Sequence, residues 1–154
     1  MKALVISDSH GSFDDIEKAM KREKDISMIM FAGDVQRDAN AIKRAYPRIP
    51  AAVVLGNNDW SVRDVPFDVT FSFGGKRVFM THGHKYHVKM SLNTLLYKAL
   101  EEKADICVFG HTHSAFCQEV SGVLMLNPGS AWRSYAVLEV DENGNVKAEI
   151  KDNL

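Results

Sequence analysis

Residues 2–11 read KALVISDSHG, an apolar run that ends abruptly in a cluster of polar residues. A short continuous apolar run of this kind is typical of a strand that is buried on both faces. A helical pattern follows, with Ser12 placed to cap its first turn. The apolar residues of this helix fall on one face, and they are Phe13, Ile16, Ala19 and Met20. The stretch therefore predicts a buried strand, a polar loop and an amphipathic helix.

The same scheme occurs twice more along the chain. Residues 27–34 (SMIMFAGD) run into Gly-Asp, and a second helix is predicted over residues 37–45, before Pro47. Residues 51–59 (AAVVLGNND) are the third instance. Strands that alternate with helices predict parallel pairing with right-handed crossovers. In such sheets ligands bind where the loops leave the carboxyl ends of the strands, so the polar turns lie on the functional edge.

The second half of the chain has a different pattern. Residues 68–82 (DVTFSFGGKRVFMTH) alternate around a Gly-Gly turn, which predicts a β-hairpin. A helix is predicted near 90–103, and its apolar side carries Leu92, Leu95, Leu96 and Leu100. Residues 105–113 (DICVFGHTH) form another apolar strand that ends in a polar turn. Residues 115–151 predict several antiparallel strands, with ENGN at 142–145 as a tight turn.

Length and composition indicate an ordinary globular protein. The 154 residues predict one domain over residues 1–154, too small for a catalytic domain with a separate cap. Hydrophobic residues make up 45% and charged residues 25%, and the formal net charge is -1. This balance argues against a surface that coats nucleic acid. Whether the protein forms a homo-oligomer stays open at this stage.

The two cysteines and the N-terminus indicate a cytoplasmic protein without a membrane anchor. Cys107 and Cys117 each lie in a mostly apolar segment and lack CxxC spacing, so we expect buried, reduced thiols. The N-terminal segment MKALVISD has only four apolar residues in a row, too few for a signal-peptide core or a membrane span.

Ligand-type residues are concentrated in five turns after predicted strands: DSH at 8–10, GD at 33–34, GNND at 56–59, THGH at 81–84 and GHTH at 110–113. Five of the six histidines fall in these turns, which argues against scattered core or surface histidines. Imidazole, carboxylate and carboxamide groups without thiolate suit Mn, Fe, Zn, Co or Ni, and argue against a closed structural zinc site. There are more candidates than one tetrahedral ion needs, so we infer two ions that share a carboxylate, roughly 3.5 to 4 Å apart.

The order D-x-H, G-D, G-N-x-D, H-G-H and G-H-T-H resembles the calcineurin-like metallophosphoesterases. The NPGS turn at 127–130 is similar to that of the small, single-domain bacterial and archaeal phosphodiesterase branch. The resemblance implies an α/β fold, a four-layer α/β/β/α sandwich of two mixed sheets. It also implies a phosphodiesterase that attacks a small phosphodiester with a hydroxide activated by two metal ions. Mn²⁺ is the expected ion, with Fe, Ni, Co and Zn as alternatives.

The resemblance also assigns ligands to the two ions. It puts Asp8, His10, Asp34 and His113 on one ion, and it puts Asp34, Asn57, His82 and His111 on the other. Asp34 is the shared, bridging ligand. Two dications against two carboxylates leave a formal charge of about +2, or about +1 with a bridging hydroxide. Such a site attracts a phosphodiester monoanion.

Two further residues are catalytic candidates, Asn58 and His84. Many members of the family have a histidine, and the small branch often a cysteine, after the ligand asparagine, where it is thought to protonate the leaving group. Asn58 cannot give up a proton, and general acid catalysis is worth roughly 10² to 10⁴ in rate. We therefore hypothesise a preference for good leaving groups such as aryl esters. His84 could contact the phosphate, orient a ligand or bond to backbone.

Other polar residues near the turns have less specific interpretations. Asp59 either stabilises its own turn or bonds to a nearby ligand. We expect the remaining residues near the turns to be solvent-exposed rather than functional: Arg37, Arg63, Lys85, His87 and Arg133. The NPGS turn is interpreted as backbone shaping beside the site.

Two other functions fit the same motifs. A phosphomonoesterase or protein phosphatase would use the same bimetal site. A non-catalytic scaffold, similar to the retromer subunit that resembles this branch, would use the same fold without hydrolysis.

Overall fold

Two five-stranded β-sheets face each other in the computed structural model, which describes residues 1–59, 62 and 64–154. In chain order the elements are β1 (Lys2–Ile6), α1 (Phe13–Arg22), β2 (Met28–Phe31), α2 (Gln36–Ala45), β3 (Ala51–Val53), β4 (Asp68–Phe73), β5 (Lys76–Thr81), α3 (Asn93–Glu101), β6 (Ile106–Val108), β7 (Phe116–Val120), β8 (Val123–Asn127), β9 (Ser134–Val140) and β10 (Val146–Asp152). A short 3-10 helix, His84–Tyr86, follows β5. None of the helices described is long and apolar enough to cross a membrane.

The first sheet has the strand order β10-β9-β1-β2-β3. Its strands β1, β2 and β3 run parallel, with Val5 opposite Met30 and Phe31 opposite Val53. The parallel β-α-β units predicted from the sequence are therefore confirmed. Strand β9 pairs antiparallel with β1 and with β10, and the predicted turn at 142–145 joins β9 to β10.

The second sheet has the strand order β4-β5-β6-β8-β7. Strands β4 and β5 form the predicted hairpin around Gly74 and Gly75. Strands β5, β6 and β8 run parallel, and β7 pairs antiparallel with β8 at the edge. Within residues 115–151 the predicted antiparallel pairing is confirmed for β7 with β8 and for β9 with β10; the parallel pairing of β8 with β6 was not predicted. The β7-β8 hairpin turns the chain back, so that β8 enters the sheet in the direction of β6.

Apolar side chains hold four layers together. The inner faces of the two sheets pack on each other through residues such as Val5, Met30 and Val108. Helices α1 and α2 cover the outer face of the first sheet, where Ile16 and Ile42 join its apolar cluster. Helix α3 covers the outer face of the second sheet. The structure is the predicted α/β/β/α sandwich; the single-domain organisation over 1–154 stays a prediction.

Three local predictions were wrong. Leu100 is 41% exposed, because α3 turns Leu95 and Ala99 towards the sheet and Leu100 away from it. Cys117 is exposed, because β7 is an edge strand, whereas Cys107 is buried as predicted. Ser12 occupies the N-cap position of α1, but its side chain makes no capping hydrogen bond.

Candidate metal centre

The five polar turns meet at one end of the sandwich, because the carboxyl ends of β1, β2, β3, β5 and β6 all lie there. Backbone hydrogen bonds join neighbouring turns, from Asp8 N to Gly33 O (2.9 Å) and from Gly110 N to His82 O (3.0 Å). The two sheets meet at Asp8, whose carboxylate accepts a hydrogen bond from His111 N at 3.0 Å. Parallel pairing within each sheet and packing between the sheets therefore bring the predicted ligands together.

The first group of ligand atoms consists of Asp8, His10 and His113, whose atoms all lie within 4.8 Å of one another. The two histidine Nε2 atoms are 3.2 Å apart, and His113 Nε2 is 3.3 Å from Asp8 Oδ1. Asp8 is buried, whereas His10 and His113 are exposed. The group is thus open to solvent on its histidine side.

The second group lies beside the first. Asn57 Oδ1 is 3.0 Å from His82 Nε2 and 3.1 Å from His111 Nδ1. His82, Asp8 and Asp34 also have ligand atoms within 4.8 Å of one another. All seven predicted ligands therefore lie in or beside two neighbouring groups, and Asp8 belongs to both. The assignment of Asp34 as the bridging ligand stays a prediction.

The histidines of the second group are prepared to bind a cation. His82 Nδ1 is 2.7 Å from the carbonyl oxygen of Ala32, which favours the proton on Nδ1 and leaves the Nε2 lone pair free. Burial, and then the neighbouring His82 and Lys89, lower the pKa of His111 to about 4. The imidazole of His111 is therefore neutral near pH 7, the form that binds a metal.

The carboxylate of Asp8 provides a test of whether a cation fits. Its Oδ2 accepts hydrogen bonds from Ser7 Oγ at 2.6 Å and from His111 N. Its Oδ1 is buried and has no hydrogen-bond partner among the described residues. This oxygen lies 3.7 Å from His82 Nε2 and 3.3 Å from His113 Nε2. A buried anionic oxygen surrounded by imidazole nitrogens fits a divalent cation.

Two glycines allow the loops to approach the carboxylates. A Cβ atom on Gly56 would lie 2.3 Å from Asp34 Oδ1. A Cβ atom on Gly110 would lie 2.0 Å from Ser7 Oγ and 2.7 Å from Asp8 Oδ2. Any side chain at these positions would displace a predicted ligand.

Most of the predicted ligands also adopt a left-handed backbone conformation. The φ angle is positive at Asp8, His10, Asp34, His111 and His113. This conformation is uncommon for residues other than glycine, although Asp and His adopt it more often than most. Five of the seven candidates thus share an uncommon backbone conformation, which clusters at functional sites.

The structure also describes both catalytic candidates. Asn58 donates hydrogen bonds to both oxygens of Asp34, from its backbone N to Oδ1 at 2.9 Å and from its side-chain amide to Oδ2. The ring of His84 lies 5.6 Å from that of His82 and 6.1 Å from that of His111. Burial, then the neighbouring His82 and Lys85, lower the pKa of His84, so its imidazole is neutral near pH 7. Their roles in catalysis stay predictions.

The basic residues near the turns lie around the site. Arg37, Lys85 and Arg133 are exposed, as is His87. Lys85 Nζ lies 3.8 Å from the centre of the Phe67 ring. Arg133 and His113 line the same groove, whose volume is about 490 Å³. Arg63 lies outside the described residues.

Two buried carboxylates support the loops, and sequence reasoning missed one of them. Asp38 accepts hydrogen bonds from Ser9 Oγ and Gly11 N, and its only signal in the sequence is its place one helical turn after Asp34. Asp59 accepts hydrogen bonds from the backbone N–H groups of Gly56 and Gln36. Of the two interpretations left open for Asp59, the structure thus supports stabilisation of its own turn.

Known proteins are similar to this chain in sequence. Residues 1–143 match the family model of the calcineurin-like phosphoesterase superfamily domain. The chain is 33% identical to the probable metallophosphoesterase YsnB of Bacillus subtilis (strain 168), over 93% of this chain and 86% of that protein. It is 26% identical to the phosphodiesterase MJ0936 of Methanocaldococcus jannaschii, over 84% of this chain and 83% of that protein.

Solved structures share the fold. A predicted phosphoesterase from Streptococcus pneumoniae TIGR4, described as a conserved uncharacterized protein, superposes with a TM-score of 0.82 at 27% identity, over 99% of this chain and 89% of that one. A single mutant of Vps29 from Entamoeba histolytica superposes with a TM-score of 0.78 at 23% identity, over 99% of both chains, and this likeness concerns the fold alone. Because the family model spans most of the chain and its ligand motifs meet at one site, the chain belongs to the calcineurin-like phosphoesterase superfamily.

Proposed function

We propose that this protein is a metal-dependent phosphodiesterase that hydrolyses small phosphodiesters with two divalent ions. The observation that carries the proposal is the pair of adjacent ligand groups that have the buried carboxylate of Asp8 in common. The name of the archaeal relative MJ0936, a phosphodiesterase, supports the same activity.

The seven ligand candidates would hold the ions as the family pattern implies. Asp8, His10 and His113 would bind one ion, Asn57, His82 and His111 the other, and Asp34 both. We expect Mn²⁺, although this donor set also suits Fe, Ni, Co and Zn. Bound ions of this kind polarise phosphoryl oxygens and lower the pKa of a coordinated water.

The residues around the ligands orient them. Ser7 Oγ and His111 N hold Oδ2 of Asp8, so that Oδ1 faces the site. The carbonyl oxygen of Ala32 fixes the tautomer of His82. Asn58 holds both oxygens of Asp34. These contacts leave the ligand atoms little freedom, which favours tight binding of the ions.

Charge and space favour a phosphodiester. Two dications against Asp8 and Asp34 leave a formal charge of about +2, which attracts an anion. The groove of about 490 Å³ that His113 and Arg133 line gives room for a substituent of the ester. Asn58 can donate a hydrogen bond but cannot transfer a proton to a leaving group, and His84 is neutral near pH 7 because its pKa is lowered. The site therefore favours esters whose leaving group needs no protonation.

A scaffold function is the second candidate, because the fold also superposes on Vps29 over 99% of both chains. A phosphomonoesterase or protein phosphatase with the same ligands is the nearest enzymatic alternative. The three functions differ in metal content and in substrate, so one set of measurements separates them.

The test is metal analysis of the purified protein, followed by Mn²⁺-stimulated hydrolysis of bis(p-nitrophenyl) phosphate and p-nitrophenyl phosphate. We expect two ions per chain and faster hydrolysis of the diester. Asp34→Asn and His82→Ala should each lower the rate of hydrolysis by at least roughly 10- to 100-fold. Mutation of a residue that merely supports a metal ligand already costs that factor. His87→Ala, which removes an exposed histidine outside the two groups, is the matched control and should keep full activity.

Two results would contradict the proposal. A well-folded protein that binds no metal and hydrolyses neither ester would favour the scaffold. Faster hydrolysis of the monoester would favour the phosphatase.

A further inference from the structure

We propose that Asp38 and Asp59 are positioning residues that each hold one metal-binding loop against the N-terminal end of α2. Asp38 would hold the loop of Asp8 and His10, and Asp59 the loop of Asn57. The inference rests on the metal-binding part of the proposed function.

Asp38 is 2% exposed, and one of its oxygens makes both of its contacts with the first loop. Its Oδ2 accepts hydrogen bonds from Ser9 Oγ at 2.5 Å and from Gly11 N at 2.9 Å. These two donors flank His10, whose side chain is exposed and whose φ is +48°. Because burial does little to restrain His10, the contacts on either side of it hold the backbone from which its ring extends.

Asp59 is also buried, and it uses both oxygens. Its Oδ2 accepts a hydrogen bond from Gly56 N at 2.7 Å, and its Oδ1 accepts one from Gln36 N at 2.7 Å. Gly56 immediately precedes Asn57, and Gln36 is the first residue of α2. The carboxylate thus joins the loop of Asn57 directly to the start of the helix.

The start of α2 is a suitable anchor for both loops. Asp34, the predicted bridging ligand, lies two residues before the helix. Asp38 connects the first loop to the first turn of the helix, and Asp59 connects the other loop to its first residue. The two carboxylates therefore fix the loop of Asp8 and His10, and the loop of Asn57, relative to Asp34.

The acceptor patterns predict opposite responses to the same conservative substitution. In Asp38→Asn, the single amide oxygen can accept both hydrogen bonds, because both now go to Oδ2. In Asp59→Asn, the amide NH₂ must face a backbone N–H group, because both carboxylate oxygens are acceptors in the structure. Asparagine should therefore be tolerated at position 38 and not at position 59.

The experiment titrates the metal-free full chain with Co²⁺, followed by calorimetry and by the visible absorption of the bound ion. We expect Asp38→Ala to lower the affinity for one of the two Co²⁺ ions by roughly 10- to 100-fold, and Asp59→Asn to lower the affinity for the other by a similar factor. Asp38→Asn should restore the affinity that Asp38→Ala loses. A role in folding alone would lower the melting temperature of the variants without this selective loss.

Ligand variants identify which ion is affected. His10→Ala removes a predicted ligand of the first ion, so that only the second ion still binds tightly. Adding Asp38→Ala to His10→Ala should leave the affinity for this second ion unchanged. Asn57→Ala removes a predicted ligand of the second ion, and adding Asp38→Ala to it should lower the affinity for the first ion. Asp59→Asn should behave in the opposite way in each background.

Unchanged Co²⁺ affinity in both Asp38→Ala and Asp59→Asn would overturn the inference, even if both variants melt earlier. If Asp38→Ala does not fold, Ser9→Ala takes its place, because it removes one of the two donors to Asp38. This variant should lower the affinity for the same ion to a smaller extent, and an unchanged affinity would overturn the role of Asp38. A wild-type chain that binds no Co²⁺ defeats this inference and the proposed function together. A wild-type chain that binds two ions, with unaffected variants, defeats this inference alone.

Discussion

Replacing Gly110 by alanine places a methyl group between the loops that carry Asp8 and His111. The added Cβ would lie 2.0 Å from Ser7 Oγ and 2.7 Å from Asp8 Oδ2, where ordinary contact begins near 3.4 Å. The hydroxyl must therefore move by more than about 1 Å, and the carboxylate by more than about 0.5 Å. Because Gly110 has no positive φ, alanine brings no backbone strain there, and the whole effect comes from this overlap.

The magnitude follows from what the displacement breaks. The hydrogen bond from Ser7 Oγ to Asp8 Oδ2, now 2.6 Å long, is a bond to a charged group. Its loss together with overpacking should lower the free energy of unfolding by about 2–4 kcal/mol. A displacement near 1 Å at reacting groups costs roughly 10² in rate, so hydrolysis should fall by about that factor.

Urea denaturation, metal analysis and hydrolysis of bis(p-nitrophenyl) phosphate measure these effects. The control is Gly75→Ala, in the turn between β4 and β5 at the opposite end of the sheet from the site, where a Cβ meets none of the described residues within 4 Å but φ is +81°. Strain there should cost about 1–2 kcal/mol of stability and leave metal content and rate unchanged. Adding Ser7→Ala to Gly110→Ala removes the closest contact, so the double variant should lose less stability than the sum of the single variants. Wild-type metal content and rate in Gly110→Ala would refute the tight approach of these loops.

Two further predictions concern Asn58 and Glu23. Asn58→His should raise the rate on alkyl esters relative to aryl esters by up to roughly 10² to 10⁴. Asn58→Ala, which loses the side-chain contact with Asp34 and adds no proton donor, should not raise it. No gain for histidine, with equal wild-type rates on both esters, would contradict the leaving-group hypothesis. Burial opposes ionisation of Glu23, but hydrogen bonds from Lys151, Lys2 and Tyr135 outweigh it and lower its pKa from 4.5 to about 2. The contribution of Glu23 to the free energy of unfolding is thus fully present above about pH 4.5 and is lost as the pH falls towards 2. Since the two lysines are partly exposed, Glu23→Gln should lower the free energy of unfolding by at most about 3 kcal/mol at pH 7. In chemical denaturation the variant should lose less stability between pH 4.5 and 2 than the wild type, and an unchanged pH profile would contradict the assignment.

Local sequence patterns predicted the first sheet well, because each of its parallel strands is a short apolar run followed by a polar turn. The same signal predicted β6. It could not predict the order β6-β8-β7, because an apolar run does not indicate which strand it will pair with. Leu100 illustrates a second limit. The helical pattern identifies an apolar side, but the packing of α3 on the sheet decides which edge of that side is exposed.

The ligand candidates could be predicted because their residue types are concentrated in turns at strand ends. Their supports could not be predicted in the same way. Asp38 lies inside a helix and contacts Ser9, 29 residues earlier in the chain, so only the tertiary structure brings the two together. The hydrogen bonds of Asn58 to Asp34 likewise span 24 residues. Sequence motifs therefore indicated which residues could bind metal, and the fold supplied the residues that orient them.

The left-handed backbone at the ligand positions has an evolutionary consequence. At each such position glycine would adopt the observed φ without strain, whereas a histidine or aspartate does so at a cost on the order of 1 kcal/mol. If the site hydrolyses esters as proposed, selection must retain residues that the backbone itself disfavours. A gene copy released from that selection could replace exposed ligand candidates such as His10 and His113 while its fold becomes more stable. Loss of the ligand candidates is then the thermodynamically easy direction of change, and the sandwich itself would survive it.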